Sequence, residues 1–296
     1  MMRIVRALLL AAATLSAREV AITIDDLPRG GDGIREFEAT RQMTTKLLEP
    51  FRLGKIPVTG FVNECRRPEE LPELLAIWRA AGADLGNHTC SHPDPNSVPV
   101  ADYLADIDKG EAITTKVLGR RPRYFRHPFL HTGPDAAAKQ AIDEHLQKRG
   151  YIAAPVTMDN SDYMFAAVYT AAPRPEEAKR IRAAYLAHME AVFDFFEKRS
   201  VEVAGHEIRQ ILLIHANQLN ADALPELLEM LKRREYRIVT LDRAMEDEAY
   251  RLPDNYVGPS GFSWIHRWSR TKGMAPKAEP DEPAWILEAY NKRQAP

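Results

Sequence analysis

The sequence predicts an α/β protein: a barrel of parallel strands covered by helices, followed by an irregular C-terminal extension. Three observations predict it. Short apolar runs alternate with amphipathic segments from Glu19 to Thr240, the pattern of a parallel sheet with crossover helices. About seven strand signals fall within about 230 residues, which suits a barrel better than an open sheet. Polar residues also gather at the C-terminal ends of these strands: Asp25, Asp26, His88, His92, Arg126, Asp159, Asp162 and His215. In a parallel barrel those ends share one face, where active sites are built.

Each element has its own warrant. The first strand, Glu19–Ile24, is β-branched and mostly apolar and stops at Asp25-Asp26, as a buried strand does at its carboxyl edge. A helix over Glu36–Phe51 precedes a strand at Val58–Val62, and a helix over Glu69–Ala81 precedes a short strand at Ala83–Leu85. A helix over Ala101–Leu118 leads to Tyr124-Phe125, and a helix over Asp135–Arg149 leads to a strand at Ile152–Val156. The long amphipathic stretch Pro175–Arg199 precedes Ile211–Ile214, the most hydrophobic strand of the chain, which ends at His215. A helix over Leu224–Arg234 and a strand over Arg237–Thr240 complete the alternation. From Arg251 it stops. The remaining residues are rich in Pro, Gly and aromatics.

At 296 residues, 45% hydrophobic and 28% charged, the chain has the composition of an ordinary globular protein. Its 40 basic and 42 acidic residues leave a formal charge of -2, which gives no reason to expect nucleic acid as a partner. Arg3 and Arg6 stand at a short apolar run, Ala7–Leu15, followed by Ser16-Ala17. That is the layout of a secretory signal peptide, and the run is too short for a membrane span of about 20 residues. The expected organisation is a signal peptide over residues 1–17, a catalytic domain over 18–250 and an extension over 251–296, in a secreted or periplasmic protein. Such a compartment permits a disulfide between the two cysteines, Cys65 and Cys90. Two reduced cysteines packed as small hydrophobes fit the sequence equally well.

The chemistry-bearing residues begin with His88 and His92, four apart in His88-Thr89-Cys90-Ser91-His92. That spacing puts both on one side of a helical turn, where they can grip one cation. Asp26 completes a two-histidine, one-carboxylate set with positions open for water and substrate. Asp25 beside it can take a proton, although an isolated Asp-Asp pair before Pro28 is better explained by a helix cap or turn. Arg126 can orient Asp25. His215 suits a general acid and Asp162 can fix its tautomer.

Together these segments resemble the polysaccharide deacetylases with a NodB-type domain, carbohydrate esterase family four. The five motifs appear in order as Thr23-Ile24-Asp25-Asp26, His88-Thr89-Cys90-Ser91-His92, Arg126-His127-Pro128-Phe129, Asp159-Asn160-Ser161-Asp162-Tyr163 and Leu213-Ile214-His215. The resemblance spans residues 20 to about 245. It implies a distorted (β/α)7 barrel that removes acetyl groups from an acetylated sugar polymer, with N-acetylglucosamine-type glycans favoured. It implies Asp25 as base, His215 as acid, Arg126 and Asp162 as their supports, and Asp26, His88 and His92 as ligands of one divalent ion. That ion is usually zinc, although related proteins accept others such as cobalt, nickel or manganese. Phe129, Tyr163 and Leu213 are the substrate-binding residues it implies. Tyr163 stands where many relatives have Trp, and His127 sits inside the third motif; both bear on substrate identity. A same-fold hydrolase of a small amide or lipid-linked sugar is an alternative. So is a non-catalytic carbohydrate-binding barrel, which would lack a catalytic position, whereas here every one is filled.

The extension carries Tyr256, Phe262, Trp264 and Trp268 within thirteen residues, in a stretch with no helix or strand period. These rings, Trp264 first among them, either stack on sugar faces as a wall of the substrate groove or staple the extension to the barrel.

Overall fold

The computed structural model describes residues 18–31, 36–172 and 174–294; the expected signal peptide lies outside the described residues. In chain order the barrel comprises β1 (Arg18–Leu27), α1 (Phe37–Gly54), β2 (Thr59–Val62), α2 (Leu71–Ala80), β3 (Asp84–Asn87), α3 (Val100–Leu118) and β4 (Tyr124–Phe125). It continues with α4 (Ala136–Lys148), β5 (Ile152–Ala153), α5 (Asp162–Thr170), α6 (Pro175–Ala204), β6 (Gln210–His215), α7 (Gln218–Arg233), β7 (Tyr236–Ile238) and α8 (Leu241–Met245). Helices α9 (Trp264–Thr271) and α10 (Ala284–Gln294) follow.

All strand pairings are parallel, in the order β5-β4-β3-β2-β1-β6, with β7 on the first residues of β1. The sheet curls until the chain after β5 reaches β6. Thr157 and Met158 donate their N–H groups to the Ile211 carbonyl, and Leu213 donates back to Met158. This is the expected α/β barrel architecture with its strands distorted and unequal in length.

The period-two alternation of β1 explains how the site is held. Val20, Ile22, Ile24 and Leu27 point outward into the main core under α1, α2, α6 and α7. Ala21 points inward and packs with Phe61, Tyr124, Ala154 and Ile211. Thr23 and Asp25 continue that inner column, both buried. In β6 the outward residues are Leu212 and Ile214, so Ile211, Leu213 and His215 share the inner column. Register pairs Asp25 with His215 across the β1–β6 ladder.

Four helices, α5, α8, α9 and α10, were not legible in the pattern. α5, Asp-Tyr-Met-Phe-Ala-Ala-Val-Tyr-Thr, is apolar almost all round, as a helix between layers must be, and so shows no amphipathic stripe. The extension is not irregular throughout, contrary to expectation. Ser263 caps α9, its Oγ accepting from the Ile265 N–H, and α10 lies against α5. Conversely the strand expected to reach Val156 ends at Ala153, because the chain there leaves β4 for β6.

Candidate active site

At the C-terminal ends of the strands lies a cavity of about 630 Å³ lined by Asp25, Asp26, His88, His92 and His215. Asp26 adopts φ 61°, a left-handed conformation that costs a non-glycine residue energy and is typical of functional sites. The turn brings its carboxylate round beside that of Asp25, and the Asn63 amide donates to it.

His88 and His92 reach Asp26 by a route other than the expected helical turn. Thr89 and His92 both have positive φ, 69° and 57°, so the segment is a tight irregular loop. Buried acceptors hold it in place of helical bonds. Asn87 Oδ1 accepts from the Thr89 N–H at 3.0 Å, and Asp106 Oδ2 accepts from Cys90 and Ser91 N–H, both at 2.8 Å. Cys90 is disulfide-bonded to Cys65, Cα atoms 5.2 Å apart, which ties the loop after β3 to the one after β2.

The three donor atoms of Asp26, His88 and His92 lie within 4.8 Å of one another. Asp26 Oδ1 is 3.6 Å from His88 Nε2 and 3.5 Å from His92 Nε2. These separations are long for hydrogen bonds and suit two ligands of one ion with bonds of about 2.0–2.2 Å. His88 Nδ1 lies 2.8 Å from the Arg126 carbonyl oxygen, so it carries the hydrogen and leaves the Nε2 lone pair facing Asp26. Burial depresses the pKa of both imidazoles, His88 most strongly, and keeps them in the neutral form that ligates. The residues present fit a divalent ion.

Arg126 is fully buried and threads the barrel interior. Its Nη1 donates to both Asp25 oxygens at 3.1 and 3.3 Å, Nη2 to Thr23 Oγ1 at 3.1 Å and Nε to the Ala154 carbonyl at 2.9 Å. Phe61 lies under the guanidinium, 4.6 Å from its centroid. Burial raises the Asp25 pKa to about 6, against the opposing pull of Arg126. At neutral pH this carboxyl is mostly ionised and able to accept a proton.

On the other side, His215 Nδ1 pairs with Asp162 Oδ1 at 2.7 Å, while Asp162 Oδ2 accepts from the His215 N–H at 2.8 Å. Asn217 and Asn220 amides also donate to Asp162. Burial alone would lower the His215 pKa, but the Asp162 charge and hydrogen bond raise it to about 10. Asp162 stays below the usual carboxylate range, because His215 and the amides outweigh its own burial.

The substrate-binding expectations divide. Phe129, half exposed, and Tyr163 line the cavity; the Phe129 ring sits 4.4 Å from His92 and the Tyr163 ring 6.3 Å from His215. Leu213 lines it from below. Trp264 does not line it: the ring packs against Leu130, Val156 and Leu213 under the cavity floor, with Arg267 stacked at 4.4 Å. Trp268 is likewise away from the cavity lining, buried in the main core. Several neighbours escaped the sequence reading. Asn63, Asn217 and Asn220 are neutral side chains whose roles come from folding; only Asn217, which caps α7, had a local signal. Glu279 and Tyr290 reach the cavity from the extension.

Fold and site together set the Asp25–Arg126 pair, the His215–Asp162 pair and a three-residue donor set of the kind that can hold a cation on one face of a parallel barrel. The polysaccharide deacetylase family model matches residues 12–148. A chitin deacetylase of Colletotrichum lindemuthianum is 24% identical over 241 residues, 80% of this chain and 82% of that protein. A peptidoglycan-N-acetylglucosamine deacetylase of Bacillus cereus is 29% identical over 111 residues, 38% of this chain and 36% of the relative. The solved structure of the Colletotrichum chitin deacetylase covers 83% of this chain and 93% of its own with a TM-score of 0.52 at 24% identity. A pseudoenzyme of carbohydrate esterase family four from Bacillus anthracis shares the fold as well, with TM-score 0.51 and 16% identity over 77% of this chain and 66% of its own. The relatives that this chain resembles are polysaccharide deacetylases, hydrolases that remove acetyl groups from sugar polymers.

Proposed function

We propose that this protein is an exported deacetylase, dependent on one divalent ion, that acts on an N-acetylglucosamine-type glycan. The observation that carries the proposal is the meeting of three units in one cavity: the Asp26–His88–His92 triad, the Asp25–Arg126 pair and the His215–Asp162 pair. A non-catalytic barrel has no use for all three. Asp26, His88 and His92 would hold the ion, most plainly zinc, since two imidazoles and a carboxylate with open positions are a zinc-type donor set. When bound, such an ion supplies Lewis-acid polarisation of the acetyl carbonyl and acidifies water.

The protein's own groups do the proton work. Asp25 accepts the proton of the attacking water; Arg126 keeps the carboxylate oriented and ionised. His215, protonated and held through Nδ1 by Asp162, donates from Nε2 to the departing sugar nitrogen. Phe129, Tyr163 and Leu213 bound the space for the acetylated sugar and limit water.

Two of the named relatives act on chitin and on peptidoglycan N-acetylglucosamine, which supports an N-acetylated sugar. Export is supported by the Arg3, Arg6 and Ala7–Leu15 pattern and by the Cys65–Cys90 disulfide, a bond that persists in oxidising compartments. No helix among the described residues is long and apolar enough to cross a membrane. Within the exported chain we assign residues 18–250 to the catalytic domain and 251–296 to the extension. The test is acetate release by purified, metal-loaded protein from N-acetylglucosamine oligomers, peptidoglycan and acetylated xylan. Release from the first two, with a free amine formed per acetate, is expected. Release from none of the three contradicts the proposal.

A further inference from the structure

The extension does more than staple itself to the barrel. It reaches the catalytic cavity in two places. At the first, a Cβ built on Gly261 would stand 1.8 Å from the Phe129 carbonyl oxygen, so the extension lies against the active-site turn at a distance only glycine allows. At the second, Glu279, Tyr290 and Gln294 line the same cavity as His92 and His215. The Tyr290 ring meets that of Tyr163 edge-on, centroids 5.9 Å apart at 80°.

This wall is fixed and chemically mixed. Glu279 accepts from His266 Nε2 at 3.0 Å, and Glu282 accepts from Ser161 Oγ, so both ends of the segment before α10 are anchored. Asp159, opposite, accepts the Asn160 N–H at 2.8 Å and has no ion-pair partner among the described residues. Two tyrosine rings and two carboxylates at the edge of one cavity match a pyranose, whose C–H face packs on rings and whose hydroxyls donate to carboxylates. In the proposed reaction the acetamido group lies among the proton-transfer groups, and the Tyr163 ring stands 6.3 Å from His215 and 5.9 Å from Tyr290. What the extension touches is therefore a different part of the ligand.

We propose that the C-terminal segment supplies a second sugar subsite, built from Tyr290 and Glu279 facing Tyr163 and Asp159, that binds the sugar unit next to the one being deacetylated. The proposal rests on the glycan reading of the substrate. Its consequence is a preference for oligosaccharides over isolated acetylated groups, set by residues outside the five motifs.

The experiment compares the full-length, metal-loaded protein with Tyr290→Ala, Tyr290→Phe and Glu279→Gln. KM and kcat are measured on N-acetylglucosamine tetramer, and kcat/KM on 4-nitrophenyl acetate, with melting temperatures alongside. Tyr290→Ala and Glu279→Gln each raise the tetramer KM about 10-fold, with kcat within about twofold, and reduce the preference for tetramer over ester by a similar factor, as loss of one buried contact implies. Tyr290→Phe, which keeps the ring, restores most of the loss. Tetramer affinity is also measured calorimetrically in the Asp25→Asn background with and without Tyr290→Ala. An unchanged tetramer Kd, no binding of tetramer at all, or equal losses on tetramer and ester with a lowered melting temperature overturns the subsite. If wild-type protein releases no acetate from any glycan, the deacetylase reading fails, and the Kd comparison still decides the subsite.

Discussion

Asp25 and Asp26 are adjacent and face different partners because their backbones differ. Asp25 ends the inner column of β1 and faces Arg126; Asp26 turns at φ 61° toward His88 and His92. Asp25→Asn keeps the volume and loses the base, so metal content stays and kcat falls on the order of 10²-fold or more; wild-type kcat in this variant removes Asp25 from the mechanism. The pH profile follows from the same burial. A carboxyl whose pKa is raised to about 6 is a base only above that value, so activity falls as the pH drops through it, and a bound cation moves this limb lower. His215, raised to about 10, donates only while protonated, so activity falls again above that value. Asp162→Asn removes the main cause of the raised value and brings the alkaline limb down toward the ordinary imidazole range near about 6.5. An alkaline limb left in place would show that Asp162 does not tune His215. The titratable members of the site were legible in the sequence because charged residues stand out at the ends of apolar runs. Asn63, Asn217 and Asn220 were not, since a neutral amide shows its role only once its partner is beside it.

At the scale of elements, the loop from His88 to His92 shows how a spacing can be right for the wrong reason. Four residues apart suggested a helical turn; the two rings meet instead, 4.9 Å apart, through a loop with two left-handed residues. The Asp106 carboxylate replaces the missing backbone bonds by accepting from Cys90 and Ser91 N–H and from Ser91 Oγ. Asp106→Ala therefore leaves the buried Cys90 N–H unpaired and removes the acceptor of the Ser91 donors, which costs about 1–3 kcal/mol, read as a lower melting temperature together with weaker divalent-ion binding in a calorimetric titration. Unaltered ion affinity would mean that the disulfide alone holds the loop. Most strands and helices were legible because each apolar run has one plain period. α5 was not, since it is apolar on nearly every side, and α9 was hidden by its eight-residue length and its aromatic content.

At the scale of the whole molecule, the curl of the sheet brings Asp25, His88, Arg126 and His215 from four strands to one mouth, and the extension closes part of the rim. That the extension packs on the barrel was an expectation; which of its rings line the cavity was not legible, because Trp264 and Tyr290 look alike until the chain is wrapped. Trp268, buried against the main core with Tyr250 at 5.6 Å, serves the fold. Trp268→Ala costs about 3–5 kcal/mol and lowers the melting temperature, with KM for glycan oligomers unchanged in the fraction that remains folded; a raised KM without loss of stability would return this ring to the groove. The barrel, base, acid and extension all converge on the Asp26–His88–His92 centre. Metal content and acetate release, measured on the same wild-type, His88→Ala and His92→Ala preparations before and after chelation and re-addition of zinc, test that centre most directly. One divalent ion per wild-type chain is predicted, with acetate release from N-acetylglucosamine oligomers abolished by chelation, restored by zinc and absent in both variants. Full turnover in the chelated protein, or full metal occupancy and turnover in the two histidine variants, would contradict it.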